Sequence, residues 1–310
     1  MEEIVYALAA TPLAASPRLI FAGRASGLYC SKDGGQTWQD ALEQLELMDR
    51  LPVMTIALGK GESGSEPLSV FAGAPGGVLL SLDGGETWQV GKLPDPPPVV
   101  SCLALSPNIS RDGVILAGTV EDGVFRSADQ GRSWARWNFG LLDQSVFALA
   151  ISPDFSQDET LFAGTETGIF RSANSGRSWR EVNFPGDLAP VLSLALSPRY
   201  PQDGLILAGT EANGLILSQD HGRTWAPTGS LYSTATVNAI LVDGNDQNET
   251  RFLALTDQGL IVSRDRGQTW MEWEKPASEE IGISCVAAPQ GLAEGAPLLV
   301  GTVDGQVLWI

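Results

Sequence analysis

The sequence of 310 residues predicts an all-β fold, a seven-bladed β-propeller of four-stranded antiparallel blades with the last blade incomplete. One octapeptide recurs six times: SKDGGQTW from Ser31, SLDGGETW from Ser81, SADQGRSW from Ser127, SANSGRSW from Ser172, SQDHGRTW from Ser218 and SRDRGQTW from Ser263. The starts lie 50, 46, 45, 46 and 45 residues apart, the length of one four-stranded blade with its turns. Each unit also keeps one internal order, clearest between Val146 and Phe184: an apolar strand VFALAIS, a polar loop, a strand TLFAGT, a turn at Glu166 to Gly168, a strand GIFRS, the octapeptide and a closing strand. Closed all-β folds of this size commonly form one domain, so residues 1–310 are expected to make a single propeller.

Counting the innermost strands gives seven, around Val5 to Ala10, Met54 to Leu58, Val100 to Leu105, Val146 to Ile151, Val191 to Leu196, Val237 to Val242 and Ile283 to Ala288. Their alternation of small and large residues suits crowding near a central axis. The seventh unit, PLLVGTVDGQVLWI from Pro297, stops after its third strand and has no octapeptide. Residues Met1 to Ile4 are too few for a full fourth strand, so closure is expected through an incomplete blade or through side-chain packing alone.

The octapeptide explains itself physically. The carboxylates of Asp33, Asp83, Asp129, Asp220 and Asp265 can accept backbone N–H groups of the turn that follows, the glycine supplies a positive φ, and the Thr or Ser hydroxyl ties the returning strand. The fourth copy carries Asn174 instead, which predicts a less firmly tied turn. Trp38, Trp88, Trp134, Trp179, Trp225 and Trp270 share the last position and are expected to fill the gaps between blades; a carbohydrate-stacking platform is the alternative use of such a set.

The pattern S-x-D-x-G-x-[ST]-W resembles the Asp-box of the BNR-repeat superfamily, and the resemblance covers nearly the whole chain. It links the chain to sialidases, sortilin-type receptors, some plant-polysaccharide hydrolases, the photosystem II assembly factor of plants and cyanobacteria, and uncharacterised bacterial repeat proteins. The resemblance implies the propeller fold and leaves catalysis open, because in the enzymes of this superfamily the Asp-boxes lie away from the catalytic centre.

Composition narrows the function classes. Against 19 bases stand 37 acids, a net charge of −18 that opposes nucleic acid and anionic membranes, and no segregated basic face is visible. No run of 18 apolar residues suggests a membrane-spanning helix, and Glu2 and Glu3 stand where a signal peptide needs positive charge. Cys30, Cys102 and Cys285 are odd in number, widely spaced and set in apolar strands, which points to free thiols, a cytoplasmic location and, with no other signal, a monomer.

No catalytic, cofactor or metal site is predicted. The Arg-Ile-Pro element expected of a sialidase is missing, and Arg126, Arg132, Arg171, Arg177, Arg223, Arg264 and Arg266 all lie in or beside the octapeptides. Of the tyrosines Tyr6, Tyr29, Tyr200 and Tyr232, only Tyr232 falls in a plausible mouth loop, where it reads as a plain exposed residue. The single histidine, His221, occupies a variable octapeptide position, so His-based metal sites and triads are not expected.

The candidate partner-binding residues lie in the turns between second and third strands. Five consecutive blades place acids there: Glu121 with Asp122, Glu166, Glu211, Asp257 and Asp304, whereas the first two blades offer Arg24 and small residues. Like charges around a concave mouth sum their potentials, so this arc is expected to attract a basic protein segment. Two longer connections lie on the same face. Asp40 to Pro52, with Leu42, Leu45, Leu47 and Met48, is expected to form a short amphipathic helix capping the first two blades. Pro94, Pro96, Pro97 and Pro98 stiffen the segment from Gly91 into an extended spacer. The resulting expectation is a non-catalytic scaffold for protein recognition, with a carbohydrate-active enzyme or lectin of the same superfamily as the alternative.

Overall fold

The computed structural model describes residues 3–15, 18–45, 50–59, 68–229, 232–244, 249–273 and 282–310. Within them the strands form six four-stranded sheets and one three-stranded sheet, each ordered from inside to outside as in the sequence. In blade 4 the strands are Val146–Ile151, Leu161–Thr165, Ile169–Ser172 and Arg180–Glu181, every neighbouring pair antiparallel. Antiparallel order puts the turn between second and third strands at one end of each blade and the Asp-box at the other. The inner strands match the expected ones, except that blade 2 uses Thr55–Gly59 and blade 6 extends over Val237–Gly244.

The second strand of each blade is covered on both faces by its neighbours, so it reads as an apolar run without alternation, as in fully buried Leu161–Thr165. A glycine in that strand lets the next blade approach. A Cβ on Gly118 would lie 2.5 Å from the Cys102 sulfur and 2.7 Å from a Val146 methyl, and one on Gly301 would lie 2.7 Å from Val5. Blade 6 carries Leu255 there instead, buried in a cluster with Val286 and Ile283 of blade 7.

The Asp-boxes form the network that their residues predict. Asp33 Oδ1 accepts from the backbone of Gln36 and Thr37 at 2.9 and 3.0 Å and from Ser31 Oγ, while Thr37 Oγ1 donates to Oδ2 at 2.6 Å. In the fourth box Asn174 Oδ1 still accepts from Ser178 N at 2.9 Å, but its amide donates to Ser178 Oγ and the backbone of Arg177 turns to the main-chain oxygen. Among the box tryptophans, Trp88, Trp134, Trp179 and Trp270 are buried between blades, Trp38 and Trp225 are half-buried, and Trp134 Nε1 donates to Gly131 O at 2.9 Å. Burial leaves those four no open face for stacking a sugar.

At the same end of three successive blades, beside the Asp-box, Ser-Pro-x-x-x-x-Asp folds one helical turn: Ile109–Asp112, Phe155–Asp158 and Tyr200–Asp203. Ser106, Ser152 and Ser197 donate to the closing aspartates at 2.5, 2.6 and 2.8 Å, and each aspartate also accepts a backbone N–H two residues on.

The ring closes by packing. Ser284 Oγ of blade 7 donates to Val5 O of blade 1 at 2.7 Å, the same junction bond that Ser101 makes to Val146 O and Ser193 to Val237 O. Trp309 adds a bond from Nε1 to Gly34 O at 3.1 Å. The helix expected in Asp40 to Pro52 does not form in its described part: Ala41 to Leu45 is a turn begun by Asp40 Oδ1 accepting Leu42 N, and buried Leu42 caps blades 1 and 2 without needing helical spacing. Leu47 and Met48 lie outside the described residues. Tyr232 is buried against Leu215, Val237 and Trp270, so the expected exposed tyrosine is a core residue whose hydroxyl burial pushes up its pKa.

Candidate functional site

The turn face is organised by one recurring backbone bond. The first turn residue of a blade donates its N–H to the carbonyl just before that blade's inner strand: Val120 to Val99, Glu166 to Ser145, Glu211 to Pro190, Asp257 to Thr236 and Val303 to Gly282. This bond holds the position beside the start of the inner strand, next to the central channel. Blades 4, 5 and 6 fill it with Glu166, Glu211 and Asp257, all exposed, and blades 3 and 7 fill it with exposed Val120 and Val303.

The six candidate acids therefore divide. Glu166, Glu211 and Asp257 share equivalent places on adjacent blades, whereas Glu121 and Asp304 sit one residue further along their turns. Asp122 is tied to Arg136 at 2.7 Å and brings no free charge. Asp304 is occupied within its own turn by Thr302 Oγ1 and by Gln306 at 2.9 Å, and the Thr302 hydroxyl leads the contacts that lower its carboxyl pKa. Asp257 Oδ1 accepts Thr236 N at 3.1 Å and keeps its second oxygen open to solvent.

Two acids on this face escape sequence reasoning. Glu3 accepts from Ser26 N at 2.8 Å and stands 3.8 Å from Arg24, so the basic residue of the first turn is neutralised by a segment 21 residues away. Asp143 binds the backbone and hydroxyl of Thr167, both at 2.8 Å; burial alone would raise its carboxyl, but these bonds and Ser145 N lower it. No local motif marks either residue. Apolar surface accompanies the acids, because Met54 and Val99, just before the inner strands of blades 2 and 3, are also exposed.

Among the described residues no three His, Cys, Asp or Glu side chains gather as a metal site, and no helix is long and apolar enough to cross a membrane.

The BNR/Asp-box repeat profile matches residues 29–40, the third strand and box of blade 1. Six such boxes lie on the seven sheets. The chain has a BNR/Asp-box β-propeller fold. A search of curated protein sequences finds no significant match. Among solved structures, the propeller is similar to the extracellular domain of BT4673 from B. thetaiotaomicron, at 17% identity and a TM-score of 0.71, over 99% of this chain and 38% of that one. An ancestral GH74 enzyme superposes with a TM-score of 0.75 at 19% identity, over 99% of this chain and 44% of the enzyme. YCF48 bound to D1 peptide gives a TM-score of 0.66 at 16% identity, over 99% of this chain and 93% of YCF48. The chain thus spans less than half the length of the first two, and the likenesses establish the fold, which serves both enzymes and binding domains.

These likenesses correct the cytoplasmic location expected from the cysteines, since propellers of this fold occur as extracellular domains. The physical reason is that Cys30, Cys102 and Cys285 sit in the strands of three different blades, and burial pushes the Cys102 and Cys285 thiols up to about 12. Such thiols stay free in either redox setting and carry no signal of compartment.

Proposed function

We propose that the propeller is a non-catalytic scaffold that binds a basic, partly apolar protein segment across the face of its second-to-third-strand turns. The observation that carries the reading is the trio Glu166, Glu211 and Asp257, held by one repeated backbone bond on adjacent blades and flanked by Val120 and Val303. Three exposed carboxylates on a rigid arc attract positive charge without reorganising, and the valines give a bound segment apolar area to cover. YCF48, a propeller of the same fold, is itself seen with a peptide bound.

A carbohydrate-binding or hydrolytic role finds less support. Sugar subsites need exposed aromatic platforms, and the box tryptophans that could have supplied them are largely buried between blades. Among the described residues the large exposed hydrophobics include one aromatic, Phe139, in the connection from blade 3 to blade 4.

The test is an affinity capture from lysate with wild type beside the triple variant Glu166→Gln, Glu211→Gln, Asp257→Asn, with bound proteins identified by mass spectrometry. A basic partner retained by wild type and lost from the variant, and released by raised salt, is the expected result. Equal retention by both proteins would remove this face as the site.

A further inference from the structure

The charge of −18 hides a local reversal on the Asp-box side. Between blades 4 and 5 lies a cleft of about 560 Å³ lined by three arginines, Arg171, Arg180 and Arg223, against one acid, Glu181. Arg171 and Arg180 are direct cross-strand partners on the third and fourth strands of blade 4. Like charges placed opposite one another on a sheet repel, and an anion bound between them would relieve that repulsion. Among the described residues none of the three guanidinium groups is paired with a carboxylate, whereas Arg136, Arg177, Arg264 and Arg266 each are.

Comparison with blade 3 explains why the space exists. There the residue equivalent to Arg171 is Arg126, whose guanidinium lies 4.5 Å under the Trp137 ring, and its cross-strand partner is Ala135. Blade 4 has Val182 where blade 3 has Trp137, so Arg171 meets only the ring of its own blade's Phe162, at 5.9 Å, and the cleft above it stays open. The box on the cleft's rim is also the one whose carboxylate is replaced by the neutral Asn174. His221, on the facing box, adopts φ +62° at a position where the first two boxes use glycine, and it lines the same cleft with its ring packed edge-on against Tyr200.

We propose that this cleft is a binding site for a small molecule carrying a phosphate or sulfate group, held by Arg171, Arg180 and Arg223, with Asn174 and His221 completing the lining. Guanidinium groups suit these anions because their N–H donors match two oxygens at once. The site lies on the face opposite the acidic turns and does not depend on the partner reading.

Thermal unfolding of the purified chain is followed while inorganic phosphate, inorganic sulfate or chloride is titrated at constant ionic strength. Wild type should show a saturable rise in Tm with phosphate or sulfate and none with chloride, because a ligand that binds only the folded state stabilises it by mass action. Whichever oxyanion saturates at the lower concentration identifies the ester class. Val182→Trp, which lays a ring over Arg171 as Trp137 does over Arg126, and Arg180→Gln should each raise the half-saturating concentration by about tenfold or more. If Val182→Trp does not fold, Arg180→Gln and Arg223→Gln decide in its place. Absence of a saturable rise in wild type, or an undiminished rise in the folded variants, would overturn the proposal.

Discussion

Replacing Gly118 with alanine tests the packing of neighbouring blades at a single atom. The new Cβ would stand 2.5 Å from the Cys102 sulfur and 2.7 Å from a Val146 methyl, both inside van der Waals contact, and Val146 belongs to the inner strand of the next blade. Overpacking of this kind costs about 1–3 kcal/mol, while the loss of glycine's freedom in the unfolded chain returns about 0.5–1 kcal/mol. The expected net loss is about 1–2 kcal/mol, read as a lower urea midpoint with an unchanged slope. Val146→Ala alone also destabilises by opening a cavity, yet it makes room for the new methyl. The double variant should therefore be more stable than the sum of the singles by about 1 kcal/mol. Gly186, whose added Cβ would meet nothing within 4 Å, is the control, with Gly186→Ala expected within about 0.5 kcal/mol of wild type. A Gly118→Ala protein as stable as wild type, or strict additivity with Val146→Ala, would refute the close-approach explanation.

Two further outcomes follow from the boxes and the thiols. Asn174→Asp should stabilise the fourth box by about 0.5–1 kcal/mol at pH 7. Burial pushes the carboxyl of the analogous Asp220 up, but bonds from Thr224, Ser218 and the backbone of Arg223 hold it at about 2 against 3.8 when free. A depressed carboxyl stabilises fully above the unfolded value and loses its effect as pH falls through the folded one, so the gain should be present at pH 7 and mostly gone near pH 2, as compared by urea unfolding. A gain that is equal at both pH values would contradict this. Burial also raises the Cys30 thiol to about 11, alongside Cys102 and Cys285 at about 12, so a thiol reagent at pH 8 should label the native protein slowly and all three cysteines at once after unfolding. Rapid labelling of native Cys30 or Cys285 would count against their buried placement.

The blade plan was legible because its signals are local and repeated. An octapeptide whose carboxylate, glycine and hydroxyl serve one turn declares itself wherever it occurs; six copies set the period of the blades, and the seven inner strands set their count. The second strands were legible from their apolar runs. A second signature, Ser-Pro-x-x-x-x-Asp from Ser106, Ser152 and Ser197, was equally present in the sequence, and its Ser–Asp bond appears only once the chain is folded. The acids of the turns were visible, but their inequality was not, because Arg136 neutralises Asp122 from the fourth strand and Glu3 reaches Arg24 from outside the blade. The arginine cleft was least legible of all. In sequence its residues look like ordinary members of two boxes and an outer strand; the register that sets Arg171 beside Arg180, and the missing ring at Val182, exist only across strands and between blades.

The junction bond from Ser284 to Val5 has a mechanical consequence. The last joint uses the same serine-to-carbonyl contact as the joints after blades 3 and 5, so the circle is shut by a contact of the kind it uses elsewhere, with Trp309 added to it. Each blade hydrogen-bonds its own ladder and touches its neighbours chiefly through side chains, as in a linear repeat array bent until its ends meet. Chains rearranged to begin at a different blade should therefore wind into the same circle, with the order of the blades around it preserved and only the position of the cut moved.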